Sequence, residues 1–120
     1  MIDVERVDFI SIASQDVERS RGFYLETLGL PLDCDTGAGF EVKAGQVTLS
    51  VWDPRNYGLP FAPNPNDVAL RVPDVEAARA ALEAKGVEFR GETLDTSVCH
   101  MAFFHDPDGN ALMLHRRYAP

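Results

Sequence analysis

A helix-start signal occurs twice in this chain, and the distance between its two copies limits the possible folds more than any other feature. Asp16-Val17-Glu18 and Asp74-Val75-Glu76 lie 58 residues apart (74 − 16 = 58), and the same offset aligns Phe9 with Asp67. An aspartate ahead of helix-forming residues is a typical N-cap. A period above about 50 residues that occurs only twice indicates a duplicated module rather than a solenoid.

Each copy is predicted to fold as a strand, a helix and three further strands, because alternating apolar residues precede and follow each helix. In the first copy the predicted elements are a strand at Val4–Ala13, a helix from Asp16 to Gly29, and strands at Leu32–Asp35, Phe40–Lys43 and Gln46–Trp52. In the second copy they are a strand at Asp67–Val72, a helix between Asp74 and Gly86, and strands at Val87–Arg90, Val98–His105 and Ala111–Arg116.

Neither copy alone can bury the face of a four-stranded sheet, so the two are expected to share one domain. The prediction is a single α+β domain, residues 1–120, built from two βαβββ modules at about 4–52 and 67–116. Side by side, the modules would form a curved, mixed eight-stranded sheet with helices on its convex face and a concave cleft.

Residues 53–66 join the modules and hold four of the eight prolines together with Tyr57 and Phe61. Proline cannot donate a backbone hydrogen bond, so this segment is predicted to be a long loop rather than an interior strand or helix. Loops of this length are usually functional covers or linkers. This one either carries aromatic side chains over a pocket mouth or merely connects the modules.

The stretch FFHDPDGNALMLH, residues 103–115, predicts a β-hairpin near the end of the chain. Its DPDG sequence suits a type I turn followed by a left-handed Gly109, which together make a three-residue loop. That loop fixes the register of the two strands, with Met101 opposite His115 and Phe103 opposite Met113.

The net charge limits the classes of partner molecule that this chain is expected to bind, and its cysteine content indicates a cellular compartment. Eleven Lys and Arg residues against nineteen Asp and Glu residues give a formal net charge of −8. Phosphate-rich partners need a basic surface, so neither nucleic acid nor a membrane is an expected partner. The chain has no long apolar run, its N-terminus lacks the layout of a secretion signal, and two cysteines make no disulfide framework. We therefore predict a cytoplasmic protein with free thiols.

The chain resembles the vicinal oxygen chelate superfamily in the order of three segments, VDFISIASQDVERSRGFYLETLGL, NDVALRVPDVEAARAAL and FHDPDGNALML. That superfamily includes glyoxalase I, fosfomycin and bleomycin resistance proteins, extradiol dioxygenases and methylmalonyl-CoA epimerase. The DPDGN run at a strand junction and the F-Y-x-x-x-L-G pattern carry the resemblance together. It implies paired βαβββ modules and a homodimer whose cleft is the active site.

Enzymes of the superfamily hold a divalent metal with inward-facing His, Glu or Gln residues, and the metal chelates two neighbouring substrate oxygens. The resemblance places those positions at Phe9, Thr48, Asp67 and Met113. Only Asp67 is a competent ligand for a hard cation, and His115 would bring the number to two, whereas catalytic sites normally have at least three. Cys99 would add a soft thiolate to a hard set. We therefore expect no family-type metal site and no other cofactor.

The concave face predicted from the repeat is mostly apolar or aromatic, with a few polar groups that could orient a ligand, as is typical of small-molecule pockets. The candidate ligand-binding residues are Phe9, Ser11, Thr48, Ser50, Trp52, Asp67, Arg71, Met101, Phe103, Met113 and His115. Cys99 lies on the same predicted face.

Each polar candidate also has a structural interpretation. Arg71 either anchors a ligand carboxylate, with Asp67 orienting it, or simply pairs with Asp67. His115 is either an acid-base group or a residue at the rim of the cleft. Cys99, whose strand partner by register is Arg117, is either an activated thiol or an inert buried one.

These interpretations of the site residues lead to two alternative functions. The first is a metal-free binding protein that binds or sequesters a hydrophobic or aromatic small molecule, favoured because apolar residues replace ligands at Phe9 and Met113. The alternative is an enzyme of the superfamily, a lyase, isomerase or dioxygenase with a degenerate or metal-dependent site. Its catalytic residues are unknown, the candidates being His115, Asp67 and Cys99.

Overall fold

Two units with the same order of elements make up the chain. The computed structural model describes all residues from 1 to 120, with unit 1 at Met1–Ala62 and unit 2 at Pro63–Pro120. In each unit a strand and a helix are followed by three strands, so the α+β class and the two βαβββ modules are confirmed. The eight strands are hydrogen-bonded as two mixed sheets of four.

Unit 1 contains the sheet β1-β4-β3-β2, in which β1 is parallel to β4 and the other neighbours are antiparallel. Its strands are β1 (Ile10–Ala13), β2 (Leu32–Asp35), β3 (Gly39–Ala44) and β4 (Val47–Trp52). Helix α1 (Val17–Arg21) continues into a π-helical segment (Gly22–Thr27), and a short 3-10 helix (Pro54–Tyr57) follows β4.

The first helix begins where the sequence predicts, but it changes character midway. The Asp16 carboxylate accepts a hydrogen bond from the backbone N–H of Arg19 at 3.1 Å, which is the expected N-cap. After Arg21 the turns widen, and the N–H of Leu28 donates to the carbonyl of Phe23, five residues back, at 2.9 Å. Gly29 then takes a φ of 72°, which ends the helix as predicted.

The first strand is shorter than predicted, so the expectation of a strand over Val4–Ala13 was wrong at its start. β1 pairs only with β4, in a register that sets Ile10 beside Leu49. Because β4 begins at Val47, the residues before about position 8 have no strand beside them to pair with. Residues 1–9 accordingly carry no regular structure.

Alternation along the strands of unit 1 gives its sheet one buried face and one open face. The buried side chains, each at most 2% exposed, are Ile12, Tyr24, Phe40, Val42, Leu49 and Val51. Their strand neighbours Ser11, Ser50 and Trp52 project to the other face and are half-buried or exposed. That open face carries the candidate site.

Unit 2 repeats this topology as the sheet β5-β8-β7-β6. Its elements are β5 (Val68–Arg71), α2 (Val75–Ala84), β6 (Phe89–Asp95), β7 (Cys99–His105) and β8 (Ala111–Arg117). The Asp74 carboxylate caps α2 by accepting from the N–H of Ala77 at 3.0 Å, and Gly86 follows the helix with a φ of 91°. None of the helices combines the length and the apolar character that a membrane-spanning helix requires.

The duplication extends to interactions of the side chains. Adding 58 to the bounds of β1 gives 68 and 71, which are the bounds of β5. Arg21 forms an ion pair with Asp35 of β2 at 2.9 Å, and its guanidinium lies 5.2 Å from the centre of the Phe40 ring. The equivalent arginine of unit 2, Arg79, lies 4.9 Å from the ring centre of Phe89, which is on β6, the counterpart of β2 rather than of β3. In each unit the helix is therefore tied to its sheet by an arginine.

The β7–β8 hairpin has the predicted turn and register. Met101 is paired with His115 and Phe103 with Met113. In the turn, Gly109 takes a φ of 90°, and its backbone N–H donates to the Asp106 carbonyl at 3.1 Å. The hairpin prediction is confirmed.

Candidate functional site

A pocket of about 360 Å³ lies in unit 1, where the ends of β3 and β4 meet the segment after β4. Pockets that bind small molecules typically have volumes of about 300–1,000 Å³. It is lined by Phe9, Thr36, Ala38, Gly39, Ser50, Trp52, Tyr57 and Leu59. Aromatic and aliphatic side chains dominate this lining, so the pocket favours an apolar guest.

Trp52 forms one wall of the pocket and is held from two sides. Its indole N–H donates to the hydroxyl of Ser11, on the adjacent strand, at 2.7 Å. The Tyr57 ring packs edge-to-face against the indole, with ring centres 5.7 Å apart at 70°. Because its one donor is satisfied and its ring is braced, the indole offers a fixed apolar surface to a ligand.

Gly39 makes room for this arrangement. It is the strand partner of Trp52 in the β3–β4 ladder. A Cβ at position 39 would lie 2.7 Å from the Val51 carbonyl oxygen and 3.1 Å from the Trp52 Cβ. Only glycine allows the two strands to approach so closely here.

Tyr57 reaches the pocket from the 3-10 helix, and Asp53 fixes the start of that helix. The Asp53 carboxylate accepts hydrogen bonds from the backbone N–H of Arg55 at 3.0 Å and from its guanidinium at 2.8 Å. The hydrogen bonds from the Arg55 side chain hold the pKa of Asp53 below its ordinary value of 3.8. The cap is therefore ionised at neutral pH, and its stabilising effect is lost only as the pH falls through that lowered pKa.

The proline-rich segment differs from the prediction in one respect, because the four residues Pro54–Tyr57 form a helical turn within it. Pro54 occupies the first turn, where a missing N–H costs nothing. Of its two aromatic residues, Tyr57 lines the pocket. The interpretation of this segment as a pocket cover thus has a specific contact in its favour.

Thr48 lies on the same face of the sheet but outside the pocket lining. It is buried, and its hydroxyl accepts a hydrogen bond from the Lys43 ammonium at 2.7 Å. The neighbouring Phe9 has no donor atom for a metal. An ammonium group bound at Thr48 and an apolar ring at position 9 do not match the requirements of a divalent cation.

The open face of unit 2 has a different character. Asp67 forms an ion pair with Arg90 at 3.6 Å, and the guanidinium of Arg90 lies 6.0 Å from the Phe103 ring centre. Of the two interpretations given for Arg71, the pairing with Asp67 is wrong. The two residues are four apart along an extended chain, which separates them by about 13 Å.

The other predicted residues of unit 2 follow its strand register. Arg71 is the partner of His115 in the β5–β8 pair, and Cys99 is the partner of Arg117 in the β7–β8 pair. Met101, Phe103, Met113 and His115 are half-buried, Arg71 is exposed, and Cys99 is 8% exposed with a free thiol.

Within neither unit do three His, Cys, Asp or Glu side chains come together as a metal ligand set. In unit 2, Asp67 already has a cationic partner and Met113 offers only a soft thioether.

Of the residues predicted in unit 1, the structure brings Phe9, Ser50 and Trp52 together around the pocket and uses Ser11 to hold the indole. Sequence reasoning did not identify Gly39 or the turn residues Thr36 and Ala38 as part of a site. The only sequence signal for this part of the lining is the run of small residues between two predicted strands.

Comparison with known proteins gives a consistent result. The model of the Glyoxalase/Bleomycin resistance protein/Dioxygenase superfamily matches residues 6–114. An uncharacterized protein of Mycolicibacterium smegmatis is 29% identical over 110 residues, which cover 91% of each chain. The crystal structure of TnmS3, an antibiotic binding protein from Streptomyces sp. CB03234, is 28% identical with a TM-score of 0.80, covering 98% of this chain and 100% of that one. A glyoxalase/bleomycin resistance protein from the same Streptomyces is 30% identical with a TM-score of 0.70, covering 88% and 96%.

Proposed function

The chain belongs to the glyoxalase/bleomycin resistance protein/dioxygenase superfamily, and from this premise we propose that it binds and sequesters a hydrophobic or aromatic small molecule without a metal. The pocket of unit 1 is the proposed binding site. The observation that carries the proposal is the Trp52 indole, fixed by Ser11 and Tyr57 at the wall of a pocket of about 360 Å³.

The chemistry of the lining supports an aromatic guest over a strongly polar one. Trp52, Tyr57 and Phe9 provide three rings, and the Ser50 hydroxyl is one of few polar groups among them. Rings of this kind stack against flat ligands and lose little conformational freedom on binding. A solved relative that is 28% identical over nearly the whole chain is described as an antibiotic binding protein, which is in keeping with this proposal.

The enzymatic alternative, a lyase, isomerase or dioxygenase, depends on Asp67, His115 and Cys99 as reacting groups. Asp67 forms an ion pair with Arg90, and the Cys99 thiol is buried. A general base needs access to the proton that it removes. His115 is half-buried and has no hydrogen-bond partner, but one imidazole supports a reaction less than the ring-lined pocket of unit 1 supports binding. We therefore prefer the binding function.

Because Trp52 is the single tryptophan of the chain, its fluorescence reports on the pocket directly. We expect saturable quenching when the protein is titrated with phenazine, a neutral tricyclic aromatic compound. Adamantan-1-ol, a compact aliphatic molecule, is expected to displace phenazine poorly because it cannot stack on the rings.

Tyr57→Ala is expected to weaken phenazine binding about fivefold, the effect of losing one aromatic contact. Tyr118→Ala is the matched control, since Tyr118 is an exposed tyrosine of unit 2, and it should leave the affinity unchanged. An absence of saturable quenching, or equal losses in the two variants, would refute the proposed site.

We also propose that the protein acts as a homodimer in the cytoplasm. The dimer is what resemblance to the superfamily implies. The free thiols of Cys34 and Cys99 are in keeping with a reducing compartment.

A further inference from the structure

The open face of unit 2 carries a pair of basic side chains at its β5–β8 edge. Arg71 and His115 are directly paired across the parallel strands, so their side chains project from the same face with backbones about 5 Å apart. Arg71 is exposed and His115 is half-buried. Neither side chain takes part in a hydrogen bond or an ion pair.

This face is basic although the chain as a whole is acidic. Strands β5, β7 and β8 contain no Asp or Glu. Arg71, Arg90 and Arg117 share the face with the carboxylate of Asp67, and Glu92 is an exposed residue of β6 where the β6–β7 register is irregular. Asp67 forms its ion pair with Arg90, so neither Arg71 nor His115 is paired with a carboxylate.

Apolar side chains adjoin the basic pair. Met101 is the strand partner of His115, and Met113 lies two residues before His115 on the same face. Both methionines are half-buried, so part of each thioether chain remains open to contact. Methionine adapts its shape to irregular or flat apolar ligands.

We propose that this face binds an organic anion. Its carboxylate or other oxyanion accepts hydrogen bonds from the Arg71 guanidinium and from His115, and its apolar body lies on Met101 and Met113. The planar fork of Arg71 suits an oxyanion because two parallel N–H groups can donate to it. The inference rests on residues of unit 2 alone and does not depend on the pocket of unit 1.

The test compares two probes of the same shape, 2-naphthoate and the neutral 2-naphthamide, each titrated into the ¹⁵N-labelled full chain. We expect 2-naphthoate to shift the amide resonances of Arg71 and His115 saturably. It should bind about tenfold more tightly than 2-naphthamide at this face, the effect of one charge-assisted hydrogen bond. Because the resonances identify the unit, binding to the pocket of unit 1 is scored separately.

Arg71→Gln is expected to weaken the binding of 2-naphthoate about tenfold, and Arg71→Lys less, since lysine keeps the charge but not the fork. Arg6→Gln makes the same change of charge on an exposed side chain of unit 1 and should have no effect. The proposal is overturned if the two probes bind unit 2 equally, or if Arg71→Gln and Arg71→Lys bind 2-naphthoate like Arg6→Gln. Binding of inorganic phosphate as tight as that of 2-naphthoate would overturn the assignment to an organic anion.

Discussion

At the scale of single residues, the proposed pocket depends on a small number of placements around Trp52. Ser11 satisfies the indole N–H, Tyr57 braces the ring, and Gly39 leaves the space opposite it. Each contributes a different physical property: a hydrogen-bond acceptor, an aromatic edge and the absence of a side chain.

The contribution of Gly39 can be measured by adding one methyl group. Gly39→Ala is expected to lower the free energy of unfolding by about 1–3 kcal/mol, because its Cβ would press against the Val51 carbonyl and the strands would have to move apart. The same variant should bind phenazine more weakly, since Trp52 is displaced. Urea unfolding followed by circular dichroism measures the first effect.

Gly22→Ala is the matched control for this variant. Gly22 has helical dihedral angles, and a Cβ there would meet nothing within 4 Å. Alanine favours a helix by up to about 1 kcal/mol over glycine, so this variant should be as stable as the parent or more so. If Gly39→Ala were as stable as Gly22→Ala, the steric account of position 39 would be wrong.

At this scale the sequence correctly predicted which face of a strand a residue occupies. It did not predict which residues from separate strands contact each other. The faces of Ser50 and Trp52 follow from the period of two in a strand. The partner of Asp67 does not, because Arg90 lies on β6, at the opposite edge of the sheet from β5, and a contact across the open face leaves no pattern in the sequence. Gly39 was missed because the run of small residues around it does not show which backbone approaches it.

At the scale of elements, the turn between β7 and β8 shows how completely a short motif can specify structure. Asn110 is fully buried, and its side-chain amide donates to the Asp106 carboxylate at 2.8 Å. The side-chain oxygen Oδ1 of Asn110 accepts a hydrogen bond from the backbone N–H of Asn64 at 2.8 Å. The DPDGN motif thus closes its own hairpin and also holds the segment that leads into β5.

Asn110→Ala is expected to lower the free energy of unfolding by about 2–3 kcal/mol, because it removes one donor from the buried Asp106 carboxylate and leaves the Asn64 N–H without its acceptor. Asn66→Ala, at an exposed position of the same unit, should change it by less than about 0.5 kcal/mol. Thermal and urea unfolding of the two variants measures the difference. A cost below about 1 kcal/mol for Asn110→Ala would contradict the role given to this amide.

The elements that deviated from prediction did so for identifiable reasons. The sequence before Ile10 alternates like a strand, but β4 is too short to pair with it. The segment Gly22–Thr27 has ordinary helical spacing, and no sequence pattern distinguishes its π-helical hydrogen bonds from those of an α-helix. Caps and left-handed glycines were predicted correctly because they depend on neighbouring residues alone.

At the scale of the whole molecule, duplication has produced two units with one topology and two different open faces. The same strand order occurs in both, and Arg21 and Arg79 repeat their stacking on an aromatic ring. The open face of unit 1 is aromatic around Trp52, whereas that of unit 2 is basic around Arg71. The sequence repeat predicted the shared architecture, because hydrophobic periodicity indicates the type and order of the elements in each copy. The difference between the faces lies in a few side chains whose contacts only the structure shows.

The central claim is that the pocket of unit 1 holds an aromatic ligand, and intermolecular nuclear Overhauser effects between phenazine and the protein test it most directly. We predict cross-peaks from the phenazine protons to the ring protons of Trp52 and Tyr57 at saturating ligand. Cross-peaks confined to residues of unit 2, or a saturated complex with none to Trp52, would contradict the claim.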